Sequence, residues 1–151
     1  HRHMSHAARI QIVEDQYVVA QDCERCLTQA GFECTGFATT ATNAFDLAER
    51  DRPDLILMDV RLASRIDGVD AAIAIFERLG IRSLFISAHA DQVMREQARL
   101  ARPLGWLNKP YTQAELVQAI RAAVAELEVE KKAQHEALKA DAAEAANRLL
   151  G

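Results

Sequence analysis

Long apolar segments are absent from this sequence. No run approaches the roughly 20 residues that a membrane-spanning helix needs, and the N-terminal region lacks the pattern of a signal peptide. Basic residues are not in excess either, because 18 Lys and Arg face 22 Asp and Glu, which gives a formal charge of -4. A chain with this charge is a poor partner for nucleic acid or for an anionic membrane. We therefore expect a cytoplasmic protein that contacts neither directly.

Cysteine is also scarce, with three residues in the chain. Cys23 and Cys26 form a C-x-x-C pair, which metal and redox sites use, but no second Cys or His pair follows at zinc spacing. Both thiols fall on one face of a predicted helix, together with Leu27. We interpret them as small buried apolar side chains rather than as a metal or redox site.

Short apolar runs alternate with amphipathic segments along most of the chain. Strands are predicted at 9–13, 33–37, 54–58, 82–86 and 104–107, and helices at 16–30, 41–50, 67–79, 90–100 and from 112 onward. Five β-then-α units in this order predict parallel strands joined by right-handed helical crossovers. The expected fold is α/β, a doubly wound five-stranded parallel sheet of the flavodoxin-like order 2-1-3-4-5 with an extended C-terminal helix.

The two ends of the chain differ from the rest. Residues 1–7 are expected to be a tag remnant or disordered, residues 8–127 to form the domain, and residues 128–151 to form a helical extension. The extension contains strong helix formers and no Pro. It could form a coiled coil that makes a homodimer, fold back onto the domain, or begin a linker to an output domain. The extension itself is too short for a helix-turn-helix domain, so we expect no direct DNA binding.

Acidic, hydroxyl and amine side chains follow the predicted strands at their carboxyl ends. The acidic pair follows the first strand, and single residues follow the third, fourth and fifth: Glu14 and Asp15, Asp59, Ser87, Lys109. Open α/β sheets bind ligands at the carboxyl ends of their strands, at the point where the strand order reverses. We therefore expect the three carboxylates to share one crevice between strands 1 and 3.

Three carboxylates in one crevice repel one another unless a cation binds there. Hard oxygen ligands with room for water suit Mg²⁺. Asp15 and Asp59 are the expected direct ligands, and Glu14 binds either directly or through water. The backbone carbonyl of Arg61, in the loop after the third strand, is expected to complete the protein's share of ligands.

A carboxylate at such a site can act as a nucleophile and form an acyl phosphate. A phosphoryl group that transfers to Asp59 spreads negative charge over its oxygens, and Mg²⁺, the Lys109 ammonium and the Ser87 hydroxyl can each stabilise part of that charge. Lys109 should also pair with Asp59 before phosphorylation, which offsets some of the cost of burying the carboxylate.

Five motifs in order resemble the receiver domain of two-component response regulators, with the chemotaxis receiver as the simplest relative. They cover about residues 8–127 and are Glu14-Asp15, Asp59, Asp67-Gly68, Ser87-Ala88 and Lys109-Pro110. The resemblance implies a bacterial phosphoprotein that takes a phosphoryl group on Asp59 from a sensor histidine kinase or a phosphotransfer protein. It also implies slow self-catalysed loss of that group, and no enzymatic action on other substrates. The segment around Leu62 to Ala71, with Phe85-Ile86-Ser87-Ala88, is similar to receivers of general-stress regulators in alphaproteobacteria.

The resemblance further implies a switch that changes contacts with a downstream protein, which the sequence does not identify. The matching switch positions are Ser87 and Trp106, where the family more commonly has Thr and Tyr or Phe. Arg61 and His89 occupy positions that in the family flank the path of the attacking water. Our hypothesis is that Arg61 shields the phosphoryl group and slows its hydrolysis.

Two alternatives come from other functional classes. The first is a degenerate receiver-like scaffold that takes no phosphate and acts by constitutive protein contacts through its long helix; the five intact motifs argue against it. The second is a small phosphatase or phosphotransferase of the haloacid dehalogenase type. Such enzymes need a second Asp two residues after the nucleophile, where this chain has Arg61.

Overall fold

Five parallel strands form the sheet of this protein, whose computed structural model describes residues 6–63 and 67–151. The strands are β1 Arg9–Val13, β2 Glu33–Ala38, β3 Leu55–Asp59, β4 Ser83–Ser87 and β5 Gly105–Asn108. Their order in the sheet is β2-β1-β3-β4-β5, and each neighbouring pair is parallel. The predicted fold class and strand order are therefore confirmed.

Helices connect the strands and cover the sheet. They are α1 Tyr17–Gln29, α2 Ala41–Asp51, α3 Gly68–Leu79, α4 Gln92–Ala98 and α5 Gln113–Leu150, with a short 3-10 helix at Arg99–Ala101. The fourth helix is shorter than the predicted 90–100. It begins only after Asp91, whose side chain accepts a hydrogen bond from the Met94 N–H at 2.8 Å, and its predicted end is the 3-10 turn. The capping box between Thr112 and Glu115 is present at the start of α5.

The central strands are buried on both faces of the sheet. Every residue of β3 and β4 is buried. Because side chains of a strand alternate between faces, Leu55 and Leu57 pack with α1 and α5, whereas Ile56 and Met58 pack with α2 and α3. This two-sided burial explains why β3 is a continuous apolar run in the sequence.

The two thiols of the C-x-x-C pair lie in the core between α1 and α5. Cys23 and Cys26 are both buried, as predicted, and burial raises the pKa of each thiol. The Cys23 Sγ atom lies 3.3 Å from the Tyr111 hydroxyl, which follows β5. This hydrogen bond joins α1 to the segment that precedes α5.

The N-terminal segment is described from His6 onward. Residues 1–5 of the predicted tag remnant lie outside the described residues. The His6 Nε2 atom lies 3.1 Å from Asp54 Oδ2, and Ala8 is buried. The chain therefore already contacts the domain just before β1.

Helix α5 contains 38 residues, which correspond to about 57 Å at 1.5 Å per residue. Its contacts with the sheet come from Leu116, Ile120, Ala123 and Leu127, which are all buried. Every residue from 136 to 150 is exposed. Among the described helices, none combines the length and the apolar composition that a membrane crossing needs.

A buried arginine holds α5 on both sides, along the chain, of its last core residue, Leu127. The side chain of Arg82, which precedes β4, is only 5% exposed. Its guanidinium lies 2.7 Å from Glu126 and 3.2 Å from Glu130, and it donates to the Arg102 carbonyl at 2.7 Å. The Arg102 guanidinium also pairs with Glu130, at 3.0 Å. We call Arg82, Arg102, Glu126 and Glu130 the Arg82 clamp.

The Arg82 clamp should contribute measurably to stability, because its guanidinium is withdrawn from water. Replacing Arg82 with Met removes the ion pairs and the hydrogen bond to the Arg102 carbonyl. We expect the free energy of unfolding to fall by about 2 kcal/mol, measured by urea denaturation.

The matched control is Arg25→Met, which breaks an exposed pair with Asp22. Exposed pairs contribute little, so this variant should lose no more than about 0.5 kcal/mol. Equal losses in the two variants would contradict a special role for Arg82.

Candidate functional site

Three carboxylates converge at the carboxyl ends of β1 and β3. Glu14 and Asp15 directly follow β1, and Asp59 is the last residue of β3. One ligand oxygen from each of the three lies within 4.8 Å of the others. The sheet order places β1 beside β3, which is why residues distant in sequence meet here.

Asp59 is buried and is held by two partners. One of its oxygens, Oδ2, lies 2.7 Å from the Lys109 ammonium, and the other accepts a hydrogen bond from the Arg61 backbone N–H at 2.9 Å. Burial alone would lower the pKa of Lys109, but the hydrogen bond and charge of Asp59, with smaller contributions from Glu14 and Asp15, outweigh it and raise that pKa. The lysine therefore stays a cation beside the carboxylate.

The surroundings of Glu14 disfavour the charged form of its carboxylate. Burial, reinforced by the neighbouring Asp59, raises its pKa to about 7, although the Gln16 backbone N–H donates to it at 3.0 Å. The Lys109 ammonium is 3.9 Å away, compared with 2.7 Å from Asp59. The lysine thus compensates mainly Asp59, and the cluster retains excess negative charge when Glu14 ionises.

Asp15 and Gly68 connect the site to the loop that follows β3. Asp15 is half-buried, and its Oδ2 atom accepts a hydrogen bond from the Ala63 backbone N–H at 2.8 Å. Gly68 begins α3 so close to β3 that a Cβ atom at this position would overlap the Asp59 carbonyl oxygen. Only glycine fits this approach, which gives a packing reason for the Asp67-Gly68 motif.

Ser87 closes the buried part of β4, beside the site. Its hydroxyl is buried and accepts a hydrogen bond from the His89 backbone N–H at 3.1 Å. The sheet register places Ile86 opposite Asp59, so Ser87 lies one residue further along than the carboxylate. The side chains of His89 and Arg61 belong to exposed residues at the rim of the site.

Trp106 lies on β5, away from the carboxylates. Its ring stacks on Phe85 with a centroid distance of 4.7 Å and an interplanar angle of 24°. The Arg95 guanidinium from α4 lies 4.7 Å from the same ring centroid. Trp106 is half-buried, and its packing links the core residue Phe85 to the surface of α4.

A groove of about 730 Å³ opens beside the site, between α1 and the connection from β5 to α5. Glu14 and Lys109 line one part of it, and Cys23, Cys26 and Tyr111 line another. Sequence reasoning missed Tyr111, because its contact with Cys23 joins segments that lie far apart along the chain. The groove gives access to the site along a partly apolar wall.

The chemistry of these groups fits a hard divalent cation. Carboxylate oxygens are the ligands that Mg²⁺ prefers in proteins, usually with several waters retained. Glu14, Asp15 and Asp59 supply three such ligands from a preformed cluster, and the excess negative charge favours a cation. The Asp59–Lys109 pair also places a carboxylate, a group that can act as a nucleophile, beside a positive charge.

Comparison with known proteins agrees with this geometry. The family model for the response regulator receiver domain matches residues 10–121. The transcriptional regulatory protein PdtaR of Mycobacterium tuberculosis is 34% identical over 116 residues, which cover 77% of this chain and 56% of the relative. The phyllosphere-induced regulator PhyR of Methylorubrum extorquens is 30% identical over 119 residues, 78% of this chain and 44% of the relative. The chain thus spans about half the length of these curated relatives.

Among solved structures, the signal receiver domain of a modulated diguanylate cyclase from Desulfovibrio desulfuricans superposes with a TM-score of 0.74 at 27% identity. The similarity covers 82% of this chain and 98% of the compared chain. The finer resemblance to receivers of general-stress regulators stays a prediction. Residues 64–66, within the segment 62–71 that contributed to that resemblance, lie outside the described residues.

The raised pKa of Glu14 predicts a pH-dependent loss of stability in the metal-free protein. Folded Glu14 keeps its proton up to about pH 7, whereas the unfolded chain releases it near the ordinary value of 4.5. Stability from the protonated form is therefore complete below pH 4.5 and is lost as the pH rises through 7. Relative to Glu14→Gln, wild type should lose up to about 3 kcal/mol across this window.

The measurement is urea denaturation of both proteins in a chelating buffer at several pH values. Using the difference between wild type and Glu14→Gln removes the contributions of other titrating groups. A difference that stays constant with pH would contradict the prediction. Adding Mg²⁺ above the pKa of Glu14 should restore stability to wild type, since an ionised cluster binds cations more strongly.

Proposed function

The chain belongs to the family of response regulator receiver domains, a family of signalling domains, and from that premise we propose that it is controlled by phosphorylation of Asp59. The donor is a phosphohistidine on a sensor histidine kinase or a phosphotransfer protein. The observation that carries the proposal is the pairing of a buried Asp59 with the Lys109 ammonium at 2.7 Å, inside a carboxylate cluster that could hold a metal ion.

Asp59 acts as the nucleophile in this transfer. One of its carboxylate oxygens attacks phosphorus, a new O–P bond forms, and the N–P bond to the donor imidazole breaks. The imidazole leaves with the electron pair of that bond, and the product is an acyl phosphate on Asp59. The hydrogen bond from Arg61 N–H to Oδ1 fixes the orientation of the carboxylate for this attack.

Lys109 and the acidic cluster compensate the charge of the transferring group. The Lys109 ammonium already contacts Asp59 Oδ2 and can follow the charge onto the phosphoryl oxygens. Asp15, Asp59 and Glu14, with the Arg61 carbonyl, would hold a Mg²⁺ ion. When bound, that ion neutralises carboxylate and phosphoryl charge.

Ser87 and Trp106 carry the proposed response to phosphorylation. The Ser87 hydroxyl accepts a hydrogen bond from the His89 backbone N–H. An acyl phosphate on Asp59 would offer charged oxygens to which the same hydroxyl can donate. Moving Ser87 disturbs β4, in which Phe85 stacks on Trp106. The altered surface around Trp106 and α4 then changes the contact with a downstream protein partner.

The rim residues tune the lifetime of the phosphoryl group in this proposal. Arg61 lies two residues after the acceptor and His89 two after Ser87, and both residues are exposed. A long side chain such as Arg61 can shield the phosphoryl group from water. This role stays a prediction, as does a role for His89.

The groove beside the site is the proposed docking place for the donor. It combines Lys109 and Glu14 with an apolar wall from Val19 and Leu116. A helix that presents its phosphohistidine could enter this groove from the side of α1. Docking there would place the donor next to Asp59 without moving the sheet.

Phosphoryl transfer predicts one covalent adduct on one residue. After incubation with acetyl phosphate and Mg²⁺, intact-mass spectrometry should show a single phosphoryl group on wild type and none on Asp59→Asn. Removing Mg²⁺ with a chelator should abolish the adduct. Lys109→Gln should reduce the rate, because it removes the fixed positive charge.

The control for folding is the circular dichroism spectrum of each variant, and Arg25→Gln serves as a matched removal of an exposed cation. No adduct on properly folded wild type would overturn the proposal. That outcome would favour the alternative function, a receiver-like scaffold that acts by constitutive contacts through α5.

Trp106 is the only tryptophan in the chain, so its fluorescence reports the proposed switch directly. Phosphorylation should shift the emission maximum, because it alters the packing of Trp106 on Phe85 and its contact with Arg95. Ser87→Ala should still accept the phosphoryl group but show little shift. A full adduct with unchanged wild-type emission would contradict the coupling between Asp59 and Trp106.

A further inference from the structure

The part of α5 beyond the Arg82 clamp carries an apolar face that no described residue covers. Leu138 is 67% exposed and Leu149 is 84% exposed, and Ala142 and Ala145 between them are exposed as well. We call these four residues the tail stripe. Their spacings of four, three and four are those of a helix face that packs along another helix.

The tail stripe lies on the same side of α5 as the receiver domain. At roughly 3.6 residues per turn, Leu138 lies about five whole turns after Ile120, and Ala145 lies about five whole turns after Leu127. Each pair therefore shares one face of the uninterrupted helix. Ile120 and Leu127 are buried against the sheet, which identifies this face as the one that covers the domain.

The exit of α5 from the domain is fixed from two sides. The Arg82 clamp holds Glu126 and Glu130, and about a third of a turn further around the helix the Lys131 ammonium lies 3.9 Å from Asp54. A rotation of the helix by one residue would break both sets of contacts. The tail stripe therefore faces a defined direction, toward the space beyond the amino ends of the strands.

We propose that two copies of this chain pair through the tail stripe, with their α5 helices antiparallel. Leu138 of one copy then faces Leu149 of the second copy, and Ala142 faces Ala145. Alanine at the centre of the seam allows the two helices to approach closely, and the leucines close its two ends. This pairing does not depend on phosphorylation of the site.

Space for the domains decides the direction of the helices. Each domain lies on the tail-stripe side of its own helix and reaches at least to the level of Lys131, which contacts Asp54, only about two helical turns before Leu138. In a parallel pair both domains would have to occupy the gap between helices packed roughly 10 Å apart. In the antiparallel pair the domains lie at opposite ends, and Gly151 of the second copy reaches only the level of Glu136.

Charge favours the same direction. Asp141 and Arg148 border the tail stripe on one edge, and Lys139 and Ala146 border it on the other. Arg148 also donates to Glu144 of its own helix at 3.0 Å, and its guanidinium has further N–H donors for a second carboxylate. In an antiparallel pair like edges meet, so Asp141 of each copy lies near Arg148 of the other. In a parallel pair Asp141 would meet Ala146 instead. Exposed ion pairs add little energy, but they select orientation.

Disulfide trapping tests the direction of the pair. In the full-length chain, ¹⁵N-labelled Leu138→Cys is mixed with unlabelled Leu149→Cys at high concentration and oxidised mildly. Intact mass then separates mixed disulfide dimers from self-linked ones. We expect a several-fold excess of the mixed dimer over either self-linked dimer, because Leu138 meets Leu149 only when the helices are antiparallel.

The matched control is Glu136→Cys, which places a thiol on the face opposite the tail stripe. It should cross-link no more than wild type, whose own cysteines set the background. Preferential self-linking of Leu138→Cys would overturn the antiparallel assignment. If the yield of mixed dimer is no greater than the yield of cross-linked dimer from the Glu136→Cys control, pairing through the tail stripe is overturned.

A charge exchange provides a second readout that does not require new thiols in the seam. Sedimentation at matched concentrations should show less dimer for Asp141→Arg than for wild type, since like charges then meet across the seam. The double variant Asp141→Arg/Arg148→Asp should recover dimer formation. Loss in the single variant without recovery in the double variant would contradict the proposed contact.

Discussion

The crowding of negative charge around Asp59 is the constraint on which the site depends. A parallel sheet brings the ends of β1, β3 and β5 together, and here those ends carry three carboxylates and the Lys109 ammonium. Burial, reinforced by Asp59, raises the pKa of Glu14 to about 7, and the ammonium, which lies 2.7 Å from Asp59 but 3.9 Å from Glu14, compensates mainly Asp59. The three carboxylates thus carry excess negative charge that a bound cation would neutralise, and a phosphoryl group on Asp59 would add further negative charge. Lys109 is placed to respond to both.

Local sequence patterns predicted the sheet well, because strands buried on both faces are continuous apolar runs and their polar neighbours mark the strand ends. Asp59 after Leu55–Met58 is such a case. Contacts between distant segments could not be predicted in this way. The buried guanidinium of Arg82 stands just before a strand, where a charged residue ordinarily reaches solvent, and its acidic partners come from α5, far along the chain. The need for glycine at position 68 likewise follows from the approach of α3 to the Asp59 carbonyl, which no local pattern encodes.

Strand β4 has functional groups at both of its ends. Ser87 lies at the carboxyl end beside Asp59, and Arg82 precedes the amino end, where it holds Glu126 and Glu130 of α5. Between them every side chain of the strand is buried. A closely packed interior does not deform gradually; its side chains move by switching from one packed arrangement to another. A strand anchored at both ends resists such a displacement. Changes caused at Ser87 should therefore pass sideways, through Phe85 to Trp106, more readily than along the strand to the exit of α5.

The length of α5 is weak evidence for a partner, because its distal part is rich in alanine and other strong helix formers, and the domain supplies an already formed helix from which it can propagate. An exposed helix of this composition needs no second chain to stay helical. Exposed leucines are different, since each one leaves apolar surface in water that pairing would remove. Their placement on the side of α5 that faces the domain then matters more than their number. A stripe on the side of α5 that faces away from the domain would leave room for a parallel pair of helices. A stripe on the side that faces the domain can be reached only from the space beyond the amino ends of the strands. A second α5 that runs in the opposite direction fits that space.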